Sequence, residues 1–184
     1  MRSHSSSAIR YSMFCVGLLI AALLAPGCAA PRRMYQPEQD VVSLPDTVFL
    51  HYLTTVPVVT VDEGFRAVLM LVDAPSDAST FCGRREVLER LGAIKPAWNV
   101  EPDQVLDKGT LAHMVRTVCD LPLGFNELWL SRLGLGDRRY ALRTCVDLGV
   151  MSYGLSYAPV TGGELLSVIT KAESYLESRF LESQ

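Results

Sequence analysis

Val160-Thr161-Gly162-Gly163-Glu164-Leu165-Leu166-Ser167-Val168-Ile169-Thr170-Lys171-Ala172 is the stretch from which the rest of the chain is read. Leu165, Val168, Ile169 and Ala172 stand at i, i+3, i+4 and i+7, which lays one apolar stripe along a helix. Thr161 and Glu164 have the spacing of a capping box, the threonine oxygen accepting from the glutamate amide while the carboxylate reaches back. The stripe recurs 54 residues earlier as Leu111, Met114, Val115 and Val118, and 46 residues before that as Phe65, Val68, Leu69 and Val72. Thr60 and Glu63 repeat the box, although the stripe there starts one residue later relative to its cap. Asp107 keeps an N-cap and lacks the reciprocal acid.

A second element precedes these helices. Arg85 to Ile94 reads as a short helix with apolar Val87, Leu88 and Leu91, stopped by Gly92; Ala141 to Val150 repeats it, stopped by Gly149. Each is followed by a loop, residues 95–105 with Pro96 and Pro102, then residues 151–159 with Gly154. The unit is short helix, glycine stop, loop and capped longer helix, with a period near 54–57 residues. Units that cannot bury their own apolar faces must stack on one another. The pattern predicts a mainly α domain of two to three such helix-loop-helix repeats around one core, with no clear short helix in the first copy.

In this order of elements the chain resembles the S-layer homology (SLH) domain. That family runs helix, leucine-glycine stop, a loop with aromatic and proline residues, then a threonine-led second helix. Leu91-Gly92-Ala93-Ile94 with Trp98, Pro102 and Leu106 looks like one copy. Leu148-Gly149-Val150-Met151 with Tyr157, Pro159, Val160, Thr161 and Glu164 looks like another. The resemblance covers about residues 84–176 and, more weakly, 48–73. It implies a helical scaffold and, through an arginine after the cap threonine, binding of anionic cell-wall polysaccharide. Val61, Lys108 and Gly162 hold those places here, so only Lys108 offers a cation, without the bidentate geometry of an arginine. The resemblance supports the scaffold more than the ligand.

The N-terminus reads as an address. Arg2, His4 and Arg10 precede an uncharged apolar run from Tyr11 to Ala25. As a helix, that run reaches only about 22 Å, short of a ~30 Å hydrocarbon core, and small residues follow it at once. Leu24-Ala25-Pro26-Gly27-Cys28 resembles the bacterial lipobox, which implies lipidation of Cys28 and, through Ala29, permits sorting to an outer membrane. Pro26 departs from that pattern; the other reading is ordinary cleavage nearby, with Cys28 an incidental thiol. The expected division is residues 1–27 as a lipoprotein-type signal peptide, 28–47 as a tether with Pro31, Pro37 and Pro45, and 48–184 as the repeat domain. Removing Arg2 and Arg10 with the signal turns a net charge of −3 into −5, which argues against nucleic acid as a partner. The expected setting is a bacterial envelope, facing the periplasm or exterior, with a palmitate-type anchor in the membrane.

The remaining chemistry is sparse. Cys82, Cys119 and Cys145 include no C-x-x-C pair; outside the cytoplasm two of them can form a disulfide, and Cys119 and Cys145 also suit buried apolar positions. His51 and His113 lie far apart, no zinc-ligand spacing occurs, and neither a metal nor a cofactor is expected. Gly154-Leu155-Ser156-Tyr157-Ala158 resembles a nucleophile elbow but lacks the second glycine and the strand-turn-helix setting. Gly134-Leu135-Gly136 opens no phosphate loop. The apolar run Leu121 to Leu130 reads as a short helix covering the core or a partner-facing insertion. Trp98, Lys108, Tyr153 and Tyr157, with Lys95 nearby, are the candidate ligand residues: aromatic faces beside cations suit a glycan or another protein. The competing reading is that these rings pack the loops against neighbouring repeats. Together these features predict a non-enzymatic, lipid-anchored envelope protein, structural or binding towards cell-wall polymer or an envelope protein. The alternative is an accessory, protein-interacting subunit of a periplasmic enzyme or secretion complex.

Overall fold

The computed structural model describes residues 44–72, 76–122 and 137–182. The signal segment, Cys28, most of the tether, Gly134-Leu135-Gly136 and all but the first two residues of the apolar run at 121–130 lie outside the described residues. The described residues hold six helices: α1 Asp46–Leu53, α2 Val61–Leu69, α3 Phe81–Arg90, α4 Lys108–Val118, α5 Asp137–Asp147 and α6 Gly162–Glu182. A 3₁₀ turn, Ser76–Ser79, precedes α3, and no strand occurs among the described residues.

The three predicted stripes lie on α2, α4 and α6. Phe65, Val68, Leu111, Met114, Val115, Leu165, Val168 and Ala172 are all buried, and only Val72 and Val118, at or beyond the ends of their helices, are partly exposed. Thr60 and Glu63 form the complete capping box at α2. Asp107 caps α4, accepting from the Thr110 amide at 2.7 Å. At α6 the Thr161 hydroxyl accepts from the Glu164 amide at 3.2 Å. The Glu164 carboxylate does something else: it holds Lys108 Nζ at 2.6 Å and accepts from the Ser152 hydroxyl at 2.8 Å.

The short helices also take recognisable form. α3 begins four residues before the expected Arg85, because the Thr80 side chain caps it by accepting from the Gly83 amide. Gly92 and Gly149 both have φ near +73°, a left-handed conformation that costs glycine little and other residues more. The reversal after each is the same. Ala93 and Ile94 amides donate to the Leu88 carbonyl, and Val150 and Met151 amides donate to the Cys145 carbonyl. A first short helix does exist. It is α1, which has no glycine stop and instead turns through Thr54 in a right-handed conformation.

The three capped helices are joined at their starts. The residues just before the caps, Val59, Leu106 and Val160, are fully buried and form a closed cycle of backbone hydrogen bonds. Val59 N–H donates to Val160 (2.9 Å), Val160 N–H to Leu106 (3.0 Å) and Leu106 N–H to Val59 (2.9 Å). The first helical amides, which have no partner within their own helices, are met by neighbouring loops: Val61 by Gln104, Lys108 by Ala158 and Gly162 by Val56. Packing between helices then runs α2 on α3, α4 on α5, and α6 back onto α1, with α2 also touching α4 and α6. One core results, and Arg84 ties its edge. This guanidinium, 4% exposed, donates to Asp62 on α2 (2.6 and 2.9 Å) and to the Ala78 and Ser79 carbonyls. Phe65 and Phe81 stack beside it, 5.5 Å between ring centroids.

The crossing of α6 over the end of α1 leaves no room for a side chain at residue 162. A Cβ on Gly162 would lie 1.8 Å from the Leu53 carbonyl oxygen, whereas one on Gly163 would meet nothing within 4 Å. Gly162→Ala is therefore expected to destabilise by about 3 kcal/mol or more through backbone displacement. Gly163→Ala, one residue along the same helix, should stabilise by up to about 1 kcal/mol through helix propensity. Urea unfolding of the two variants checks both; equal effects would show that the close approach is not what fixes residue 162.

Candidate functional site

A concave surface lies between α5 and the loop that follows it. α5 buries Ala141, Leu142 and Cys145, which turns Arg139 and Arg143, one helical turn apart, towards solvent. After Gly149 the chain reverses and Met151 returns to the core, but Tyr153, Leu155 and Tyr157 stand out at 88%, 56% and 75% exposure. Between helix and loop is a groove of about 480 Å³. Leu142 and Val146 contribute apolar surface, Arg139, Tyr140, Arg143 and Asp147 line the helix side, and residues 153–157 line the other.

The loop is held from behind. Lys108 and Gly109 amides donate to the Ala158 and Ser156 carbonyls (3.0 and 2.8 Å), and the Ala158 amide donates to Leu155 (2.9 Å). Lys108 packs under Gly154, where a Cβ would meet its Nζ at 3.0 Å, and its ammonium pairs with Glu164. The tyrosine-bearing loop is thus fixed to the start of α4 and, through the ion pair, to α6.

The charge pattern singles this groove out. Arg66, Arg84, Arg85, Arg90, Lys95, Lys108, Arg138 and Arg179 each lie within 4 Å of a carboxylate. Among the described residues, Arg139, Arg143 and Lys171 have no such partner, and the two arginines line the groove. Two unpaired guanidiniums on one wall and two exposed phenol rings on the other can bind an anionic ligand by charge and by ring contact.

The four residues expected to contact ligand are divided by the fold. Tyr153 and Tyr157 come together in the groove. Lys108 is behind the loop, its side chain only 12% exposed, serving as a strut. Trp98 is elsewhere, half-buried: its ring meets His113 edge-on, 4.9 Å between centroids, and the Arg138 guanidinium lies over the ring 4.0 Å from its centroid. Ring packing therefore describes Trp98, and exposure describes the two tyrosines. Arg139 and Arg143 were not singled out by the sequence reading, although their i, i+4 spacing opposite the Ala141–Leu142–Cys145 face was the available signal. The places after the helix caps are all closed to ligand, with Val61 buried, Lys108 ion-paired and Gly162 pressed against Leu53.

Other chemistry is accounted for within the fold. No group of three metal-ligating side chains occurs among the described residues, and no described helix is long and apolar enough to cross a membrane. Ser156 lies in the groove, but no histidine lines it. Cys82 is exposed, Cys119 and Cys145 are buried, and none of the three is in a disulfide. Burial pushes the Cys119 thiol up to about 11. No family model, curated protein or solved structure matches the chain.

His113 sits in the α4 layer at 4% exposure, and neither ring nitrogen has a hydrogen-bond partner. Burial, reinforced by the Arg116 and Lys95 charges and opposed by the Asp137 carboxylate, lowers its pKa from 6.5 to about 4. The neutral ring is therefore the folded form above pH 6.5, where His113 leaves stability independent of pH. Between pH 6.5 and 4 the unfolded chain takes up a proton that the folded one refuses, so stability falls by up to about 3 kcal/mol. Urea unfolding at pH 7 and pH 4.5 should show this loss in the parent protein and a smaller one in His113→Leu. An unchanged acid-side loss in the variant would exclude His113 as its source.

Proposed function

We propose that this chain is a non-enzymatic, lipid-anchored protein of the bacterial envelope that engages a cell-wall polymer or a second envelope protein. Its helices are three units of SLH type, closed head to tail, and the closed cycle of hydrogen bonds among Val59, Leu106 and Val160 supports that arrangement. The anchor is the lipidated Cys28, supported by the lipobox-like stretch and the short apolar run before it. Cysteines of that kind carry more than one acyl chain, which suffices for stable attachment.

The observation that carries the binding role is the groove on α5. Its two unpaired arginines and two exposed tyrosines have no work to do inside the fold, and exposed aromatic and arginine side chains are the usual anchors of recognition surfaces. The arginine position of the SLH family is occupied in all three units by residues that cannot reach a ligand. In this reading the scaffold is kept while recognition moves to the short helix of the last unit.

Two measurements test the proposal. Labelled palmitate should be incorporated into the full-length protein and lost in Cys28→Ala; label retained in that variant would refute the anchor. Purified wall material or a defined envelope protein should co-sediment with the parent protein, and Arg139→Gln with Arg143→Gln should reduce the bound fraction about tenfold, each lost charge-assisted contact being worth ~1 kcal/mol or more. Co-sedimentation that is indifferent to both arginines would remove the groove from the function.

A further inference from the structure

Resting on the reading of α5 and its loop as the recognition surface, we propose that the groove binds an extended peptide in which acidic and apolar residues alternate. The partner is thereby a protein segment of that chemistry, and the two arginines select its acidic face.

The argument begins with the spacing of the cations. Arg143 lies four positions along the helix from Arg139, which is about 6 Å of rise. In an extended peptide, side chains on one face recur every second residue, about 6.6 Å apart. Two carboxylates at i and i+2 of such a peptide therefore match two guanidiniums at i and i+4 of the helix, each within reach of a charge-assisted hydrogen bond.

The walls supply the second half of the argument. The cations stand on the α5 side, and Tyr153 and Tyr157 stand on the loop side. A period-two chain lying along the groove presents one face to each wall, acids to the α5 arginines and the intervening side chains to the tyrosine rings and Leu155 of the loop. The loop adds main-chain donors, since the amides of Tyr153, Gly154 and Leu155 make no backbone hydrogen bond among the described residues. Asp147 at the end of the helix opposes a ligand that is acidic along its whole length, and favours one whose charge is confined to the arginine pair. The loop is already tied to α4 by Lys108 and Gly109, so little ordering is required on binding.

The test uses the detergent-solubilised full-length protein and the fluorescein-labelled pentapeptide Val-Glu-Val-Glu-Val, whose two acids match the arginine pair, read by fluorescence anisotropy. Saturable binding is expected, weakened at least tenfold when glutamine replaces glutamate in the peptide. Arg139→Gln combined with Arg143→Gln should also weaken it at least tenfold, Tyr153→Ala with Tyr157→Ala several-fold, and raising the salt concentration should weaken it in the parent protein. Lys171→Gln, an exposed cation on α6 outside the groove, should leave the affinity unchanged. Circular dichroism of the arginine variants should match the parent, both side chains being exposed. Absence of saturable binding, or binding insensitive to the arginine pair, would overturn the proposal. So would polygalacturonate displacing the peptide at lower concentrations of acid groups than the unlabelled peptide does, because the groove would then be a site for acidic glycan. Failure of the peptide to bind while wall co-sedimentation still depends on Arg139 and Arg143 would refute the peptide alone; indifference of both assays to those residues would refute the groove itself.

Discussion

Three buried amides, at Val59, Leu106 and Val160, hold one another in a cycle, and most of the architecture follows from that closure. Each belongs to the residue before a helix cap, where an extended segment turns into a helix and has no regular partner of its own. A buried backbone group without a partner costs on the order of 1–3 kcal/mol, so each of the three segments needs the other two. No pair of them completes the cycle. The same closure directs the neighbouring loop carbonyls of Gln104, Ala158 and Val56 onto the first amides of α2, α4 and α6. Helix starts that are normally met by solvent are met here by the next segment of the fold, and the apolar stripes of the three helices converge below them.

The packing pairs do not coincide with the units visible in the sequence. Reading along the chain groups a short helix with the longer helix after it. In space each longer helix packs on the short helix that follows it, α2 on α3 and α4 on α5, and the last one returns to the first short helix, α1. That offset explains why α6 lies across the end of α1 so closely that Gly162 has no space for a Cβ. A glycine placed after a cap threonine looks in sequence like a weak helix start; in the fold it marks the seam where the cycle closes.

Much of the helical pattern was legible, since 3.6-residue stripes, caps and glycine stops are local signals. The stripes at 65–72, 111–118 and 165–172 fall on α2, α4 and α6, and Gly92 and Gly149 end the short helices in left-handed conformations. What stayed hidden was set by distant partners. α1 has neither glycine stop nor charge pattern, and is a helix because Phe49, Tyr52 and Leu53 are buried in the common core. Glu164 has the right spacing for a capping box, yet its carboxylate turns to Lys108, 56 positions away in sequence, whose charge outweighs a neutral amide. The site shows the same division. The exposure of Tyr153 and Tyr157, the half-burial of Trp98 and the lack of ion-pair partners for Arg139 and Arg143 are properties of the assembled surface, and residue type alone could not separate them.

Scaffold and groove are physically coupled through Lys108. Its amide and that of Gly109 anchor the tyrosine loop, while its ammonium reaches Glu164 on the helix whose start belongs to the hydrogen-bonded cycle. This side chain therefore cannot also serve as a ligand cation without breaking its pair with Glu164. A chain that uses the position after its cap to brace a loop needs positive charge from another element if it is to hold an anion, and α5 has two arginines free of ion pairs among the described residues.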